Sequence, residues 1–86
     1  MANSALAHFA AELRAARGRR RLTQAQLADL TGFSQKTIHR FESEQREPRL
    51  SQLIALADAL AIPASTFLPE SDPRIAQLPD GHRAAS

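Results

Sequence analysis

Between Ser34 and Ser43 the chain reads Ser-Gln-Lys-Thr-Ile-His-Arg-Phe-Glu-Ser. On a helix, Ile38 and Phe41 lie three apart on one face, while Gln35, Lys36, His39, Arg40 and Ser43 fall on the opposite, wet face. Long donors of this kind suit the edges of nucleobases: Gln pairs bidentately with adenine, and Arg or Lys with guanine. An α-helix also fits the major groove of B-DNA, where each base pair displays its own pattern of donors and acceptors. A helix used this way needs polar side chains near its N-terminal end and an apolar rear that locks it to a scaffold. Gln35, Lys36 and Arg40 supply the first, with His39 a further contributor to that face; Ile38 and Phe41 supply the second. Other chemistry is poorly served. No nucleophile is paired with a base and no glycine-rich phosphate loop is present, so no enzymatic activity is expected. His39 and Glu42 have the three-residue spacing of two ligands on one helix, but that is a poor site, and neither metal nor cofactor is expected.

The elements that must position this helix are legible around it. Leu6, Phe9, Ala10, Leu13 and Ala16 recur at helical steps and predict a first helix, capped by Asn3 or Ser4 and decaying at Gly18 and the arginines that follow. Thr23 with Gln26 three residues later has the spacing of a capping box, and Gly32 stands where a helix needs positive φ to stop. A short second helix over about 24–31 follows, with Leu27, Ala28 and Leu30 wedged between neighbours. Ser34 caps the third helix, about nine residues or roughly 13 Å long. A fourth helix from about Leu50 to Leu60 has a wide apolar stripe, and Pro63 opens a brief fifth over Ala64–Leu68. Residues 69–86 carry three prolines and few large apolar residues, the composition of a flexible tail.

Composition narrows the class. Eighty-six residues allow one small domain, here residues 1–68, with the tail at 69–86. There is no Cys, which removes disulfides, thiolate zinc sites and cysteine nucleophiles together. No apolar run approaches the roughly 20 residues of a membrane span, so no membrane partner and a cytoplasmic location are expected. Val, Trp and Tyr are absent, and Ala and Leu supply 17 and 11 of the hydrophobic residues, which predicts an all-α fold. The net charge of +2 is uneven: residues 1–46 hold eight Lys and Arg against four carboxylates, residues 47–86 three against five. A basic half joined to an acidic half suits one surface facing a polyanion. The run Arg19-Arg20-Arg21 reads equally as a solubilising surface or as phosphate attraction beside the second helix.

Two short helices joined by a tight glycine-containing turn, over about 23–43, form a helix-turn-helix pattern. The stretch Leu22–Leu60, with Thr23-Gln24, Leu27-Ala28, Gly32, Ser34, Ile38, Glu42 and Pro48 in order, resembles the lambda-repressor/Cro-like (XRE-type) helix-turn-helix family. With Arg17 in the preceding helix, the resemblance covers roughly half to two-thirds of the chain. It implies a compact five-helix, lambda-repressor-like DNA-binding domain. Carried over by position, Gln35, Lys36 and Arg40 contact base edges. Gln24, Ser34, Thr37, Ser43, Gln45 and Arg46 touch the sugar-phosphate backbone. Arg17 and Glu42 match a structural ion pair between the first and third helices. The region after the fourth helix often forms a two-fold contact in the family, which makes Ile62, Phe67 and Leu68 the candidate homodimer interface.

Two positions depart from the pattern. Glu44 stands where many relatives have Gly; a left-handed backbone there strains it by about 1 kcal/mol, unless the loop takes another path. Arg49 occupies the usual Ser/Thr cap of the fourth helix, so Ser51 is expected to cap a slightly later start. The reading that follows is a dimeric, sequence-specific repressor of double-stranded DNA that occludes a promoter at an inverted repeat, with an activator as a variant. The rivals are an antitoxin-like or adaptor module whose protein partner binds the C-terminal tail, and a binder of structured RNA.

Overall fold

The residues that set the third helix are held by what surrounds them, and the frame begins with α1, Ser4–Arg19. A computed structural model describes residues 4–83; the candidate cap Asn3 lies outside them. In α1 the expected stripe is the buried one: Phe9, Ala10, Leu13 and Ala16 face the core. The helix passes through Gly18 and stops at Arg21, whose φ of 55° is left-handed. There the Leu22 N–H donates to Arg17 O at 3.1 Å and the Arg21 N–H to Gly18 O at 3.0 Å, the paired bonds of a Schellman end. Gly18 thus sits in the last turn, and the helix decays over the arginines that follow it, with Arg21 as the left-handed residue.

Next come α2, Gln24–Thr31, and α3, Gln35–Glu42. Both halves of the capping box form: Gln26 N–H donates to Thr23 Oγ1 at 3.0 Å, and Thr23 N–H to Gln26 Oε1 at 2.8 Å. Gly32, with φ of 80°, closes α2 through its N–H to Ala28 O. Leu27 and Ala28 are buried, but Leu30 is 59% exposed and not wedged. At about 100° per residue, Ala28 and Leu30 stand roughly 160° apart on either side of Leu27, and the neighbours of so short a helix do not cover both.

The fourth helix, α4, spans Leu50–Leu60 and buries Leu53, Leu56, Ala57 and Leu60. Arg49 itself is its N-cap; Gln52 reaches back to accept from the Arg49 N–H at 2.8 Å. Ser51 lies inside the helix, so the later start does not occur. An Arg side chain has no acceptor for the orphan amides, and only half of a capping box is made. The expected fifth helix is a single 3-10 turn, Ala64–Phe67, so the all-α fold is built on four α-helices. All four phenylalanines join in one edge-to-face line: Phe33–Phe41 at 6.2 Å, Phe41–Phe9 at 5.6 Å and Phe9–Phe67 at 5.5 Å between centroids.

The segment expected to be a flexible tail is folded back over residues 69–83; residues 84–86 lie outside those described. It forms two 3-10 turns, Pro73–Gln77 and Asp80–His82. Leu78 is 2% exposed in the core and Ile75 packs against it. His82 ties the end down, its Nδ1 accepting from the Ala64 N–H at 3.1 Å and its Nε2 facing Asp58 Oδ1 at 2.9 Å. Asp72 caps the first turn by accepting from Arg74 N–H, and its carboxylate also takes two bonds from the Arg74 guanidinium. Prolines that read as disorder begin these turns, where a missing N–H costs nothing. Among the described residues no helix is long and apolar enough to cross a membrane.

Three helix ends, at Arg21, Glu44 and Ala61, place a non-glycine residue in the left-handed region. Glycine carries no Cβ penalty there, so Ala61→Gly and Glu44→Gly should each raise stability by about 1 kcal/mol, read as a shift of the urea midpoint. The C-terminal turns have an acid limit. Hydrogen bonds from Arg74 hold the Asp72 carboxyl below its ordinary range. A carboxylate depressed by folding stabilises fully above its unfolded value of about 4 and loses that contribution as pH falls through the folded value. Docking of Leu78, followed by its methyl resonances, should therefore weaken below about pH 4, and Asp72→Asn should remove that dependence.

Candidate nucleic-acid interface

Three residues, Gly32, Phe33 and Ser34, turn the chain from α2 into α3. The left-handed Gly32 permits the tight reversal, and Phe33 plugs it from inside against Phe41. Ser34 starts α3 by accepting from the Thr37 N–H at 3.0 Å. Ile38 and Phe41 are fully buried behind the helix, and Gln35, Lys36, His39 and Arg40 are all exposed in front. The four candidate base-reading side chains thus share one free face of α3.

What locks that face in place is Glu42, the last residue of α3 and only 5% exposed. Its carboxylate accepts from Arg17 Nε at 2.6 Å, Arg17 Nη2 at 2.9 Å and Gln24 Nε2 at 3.1 Å. Its backbone carbonyl accepts from Arg14 Nη1. Arg17 spends its remaining arm on Leu22 O at 2.8 Å. One buried anion therefore joins α1, the start of α2 and the end of α3. The fork geometry is the strong, bidentate form of an Arg–carboxylate pair. The Glu42 hydrogen bond and charge, against some desolvation, raise the proton affinity of Arg17 above its ordinary value.

The candidate backbone-contacting residues divide. Gln24 is half-buried at the N-terminus of α2 with one amide hydrogen committed to Glu42 and the other unspent. Ser34 gives its hydroxyl hydrogen to Thr37 Oγ1, and Ser43 gives its own to His39 O. Their hydroxyls are already used in capping, whereas Thr37 keeps a hydrogen to donate. Gln45 and Arg46 are exposed in the loop after α3, and the Arg46 guanidinium lies 5.9 Å from the centre of the Phe41 ring. Glu44, with φ of 62°, takes the strained left-handed path; the Gln45 N–H donates to Arg40 O at 2.9 Å. The Glu44 side chain is exposed, an anion between Arg40 and Arg46 in the sequence.

Two of the three candidate dimer residues are corrected. Phe67 is wholly buried against Phe9, and Leu68 is also in the core. The 3-10 turn directs both inward, so neither offers surface to a second copy; Ile62 remains half-buried at the rim. Glu42, half of the nominal His39–Glu42 ligand pair, turns its carboxylate to Arg17 and Gln24 and away from any such role. Arg14 is the residue missed from the sequence. It stands one helical turn before Arg17 on the same face of α1, and that spacing was the available signal.

The profile of the helix-turn-helix domain family matches residues 8–67. A search of curated proteins finds no match. Among solved structures, the restriction-modification controller protein C.AhdI from Aeromonas hydrophila is 32% identical with a TM-score of 0.70, over 73% of this chain and 96% of that one. An HTH_3 family transcriptional regulator from Vibrio cholerae is 27% identical with a TM-score of 0.69, over 72% of this chain but 35% of that one. A hypothetical transcription factor from Neisseria, NHTF, shares the fold at 23% identity and a TM-score of 0.72, over 85% and 84% of the two chains.

The Glu42 junction makes a sharp expectation. Arg17→Met strands a buried carboxylate and should cost about 3 kcal/mol, whereas Arg17→Met with Glu42→Leu should recover much of that loss. Urea unfolding of the two variants checks the order.

Proposed function

Because the chain belongs to the helix-turn-helix domain family over residues 8–67 and carries the fold of DNA-binding transcription regulators, we propose that it is a dimeric repressor. It reads duplex DNA by sequence and occludes a promoter at an inverted repeat. The observation that carries this reading is the free face of α3, with Gln35, Lys36, His39 and Arg40 exposed over a fully buried Ile38 and Phe41. Seated in a major groove, that face brings Gln35 and Lys36 to the first base pairs and Arg40 one turn further along. Such side chains discriminate bases by paired hydrogen bonds. Gln24, oriented by Glu42, turns its second amide hydrogen to a phosphate beside the free amides of the α2 N-terminus. Thr37, Gln45 and Arg46 add contacts to the sugar-phosphate backbone, with Ser34 and Ser43 in reach once their capping bonds are shared.

Pairing about a two-fold axis through the rim near Ile62 sets two such helices about 34 Å apart on one side of the duplex. Repression then needs no effector: the bound dimer excludes polymerase by volume. The adaptor reading rested on a flexible tail, and residues 69–83 are folded against the core, which removes its motive over that segment.

Selection from a random duplex library at two salt concentrations tests the proposal. A palindromic consensus with half-sites about one turn apart is expected; steep salt dependence without a consensus would defeat base reading. Gln35→Ala and Arg40→Ala should each relax preference by about 1–3 kcal/mol at one position per half-site. Equal preference in parent and both variants removes them from the contact set.

A further inference from the structure

The run Arg19-Arg20-Arg21 is the one motif the base-reading face leaves unused, and its placement is now defined. All three side chains are exposed, and among the described residues none is within an ion pair of a carboxylate. The run ends α1 in the Schellman turn, with Arg21 at the left-handed position that favours glycine. A bulky cation thus occupies a site where its backbone is strained. Arg21 also stands three residues before Gln24, at most about 11 Å along the chain.

We propose that Arg20 and Arg21, supported by Arg19, form a second phosphate-holding patch that extends the duplex contact past the groove occupied by α3. The inference rests on the reading of Gln24 as a phosphate contact at the start of α2. Each DNA strand carries one phosphate per about 3.4 Å of helix axis, so the strand held at Gln24 offers further phosphates over the span from Gln24 to Arg21. Like-charged guanidiniums repel one another in the free protein, and a polyanion relieves that repulsion. The contact carries no base information; it adds affinity and fixes register.

Arg21→Gly in the full chain separates this role from a structural one, because its two readouts move in opposite directions. The unfolding temperature should rise by about 4–8 °C as the left-handed strain is relieved. Duplex binding should weaken, and the slope of log K against log salt should become shallower by about 0.9 per lost phosphate contact, with base preference unchanged. Arg20→Ala should show the same change of slope without the thermal gain. Unchanged slopes in both variants overturn the proposal. So does a result in which the variants keep duplex affinity but lose binding to poly-glutamate, since the patch would then serve an acidic polypeptide. Measured on a random-sequence duplex, the slope tests the arginines whether or not a consensus is selected. Lack of a consensus for the parent chain defeats base reading alone.

Discussion

A carboxylate removed from water is expensive unless every lone pair finds a strong donor. Glu42 meets that demand with two nitrogens of Arg17 and the amide of Gln24, while Arg14 takes its carbonyl. These donors come from two other helices, so the pair constrains orientation more than it stabilises the fold. Apolar packing behind Ile38 and Phe41 sets the depth of α3, but greasy surfaces slide and a bidentate fork does not. The angle at which Gln35, Lys36 and Arg40 leave the body follows from that fork. Gln24 feels the same anion, which couples the start of α2 to the helix beside it.

The helix ends follow a second economy. Only α2 stops at a glycine; α1, α3 and α4 stop at Arg21, Glu44 and Ala61, all left-handed. The turn between α2 and α3 is thus the relaxed one, where relative placement of two helices matters most. At each strained end the left-handed residue is held by the Schellman bond that spans it, such as Ile62 N–H on Ala57 O after α4.

Elements with local chemistry were legible in the sequence. The capping box at Thr23, the stop at Gly32, the cap at Ser34 and the stripe of α1 depend on residues a few positions apart, and a period or a cap spacing reveals them. The outward face of α3 was legible for the same reason. Features decided by distant partners were not. Gly18 and the arginines mark the decay of α1, but nothing in the residue types says that Arg21 and not the glycine takes the left-handed position. Phe67 and Leu68 look like spare apolar surface until Phe9 is brought against them by a fold spanning most of the chain. Ile75 and Leu78 are too few in a proline-rich segment to carry a periodicity, so the packing of residues 69–83 was hidden. Arg14 shows an intermediate case: its spacing from Arg17 was visible, but its acceptor is a backbone oxygen, which leaves no mark on the residue types.

The line of phenyl rings from Phe33 to Phe67 has a further consequence. The chain has four phenylalanines and neither Trp nor Tyr; Phe9, Phe41 and Phe67 are buried, and the half-buried Phe33 sets its ring against Phe41. Proteins that grip unpaired strands rest the flat faces of splayed bases on exposed aromatic platforms. Here the rings join α1, the turn between α2 and α3, α3 itself and the 3-10 turn after α4, which leaves little phenyl face for a splayed base to lie on.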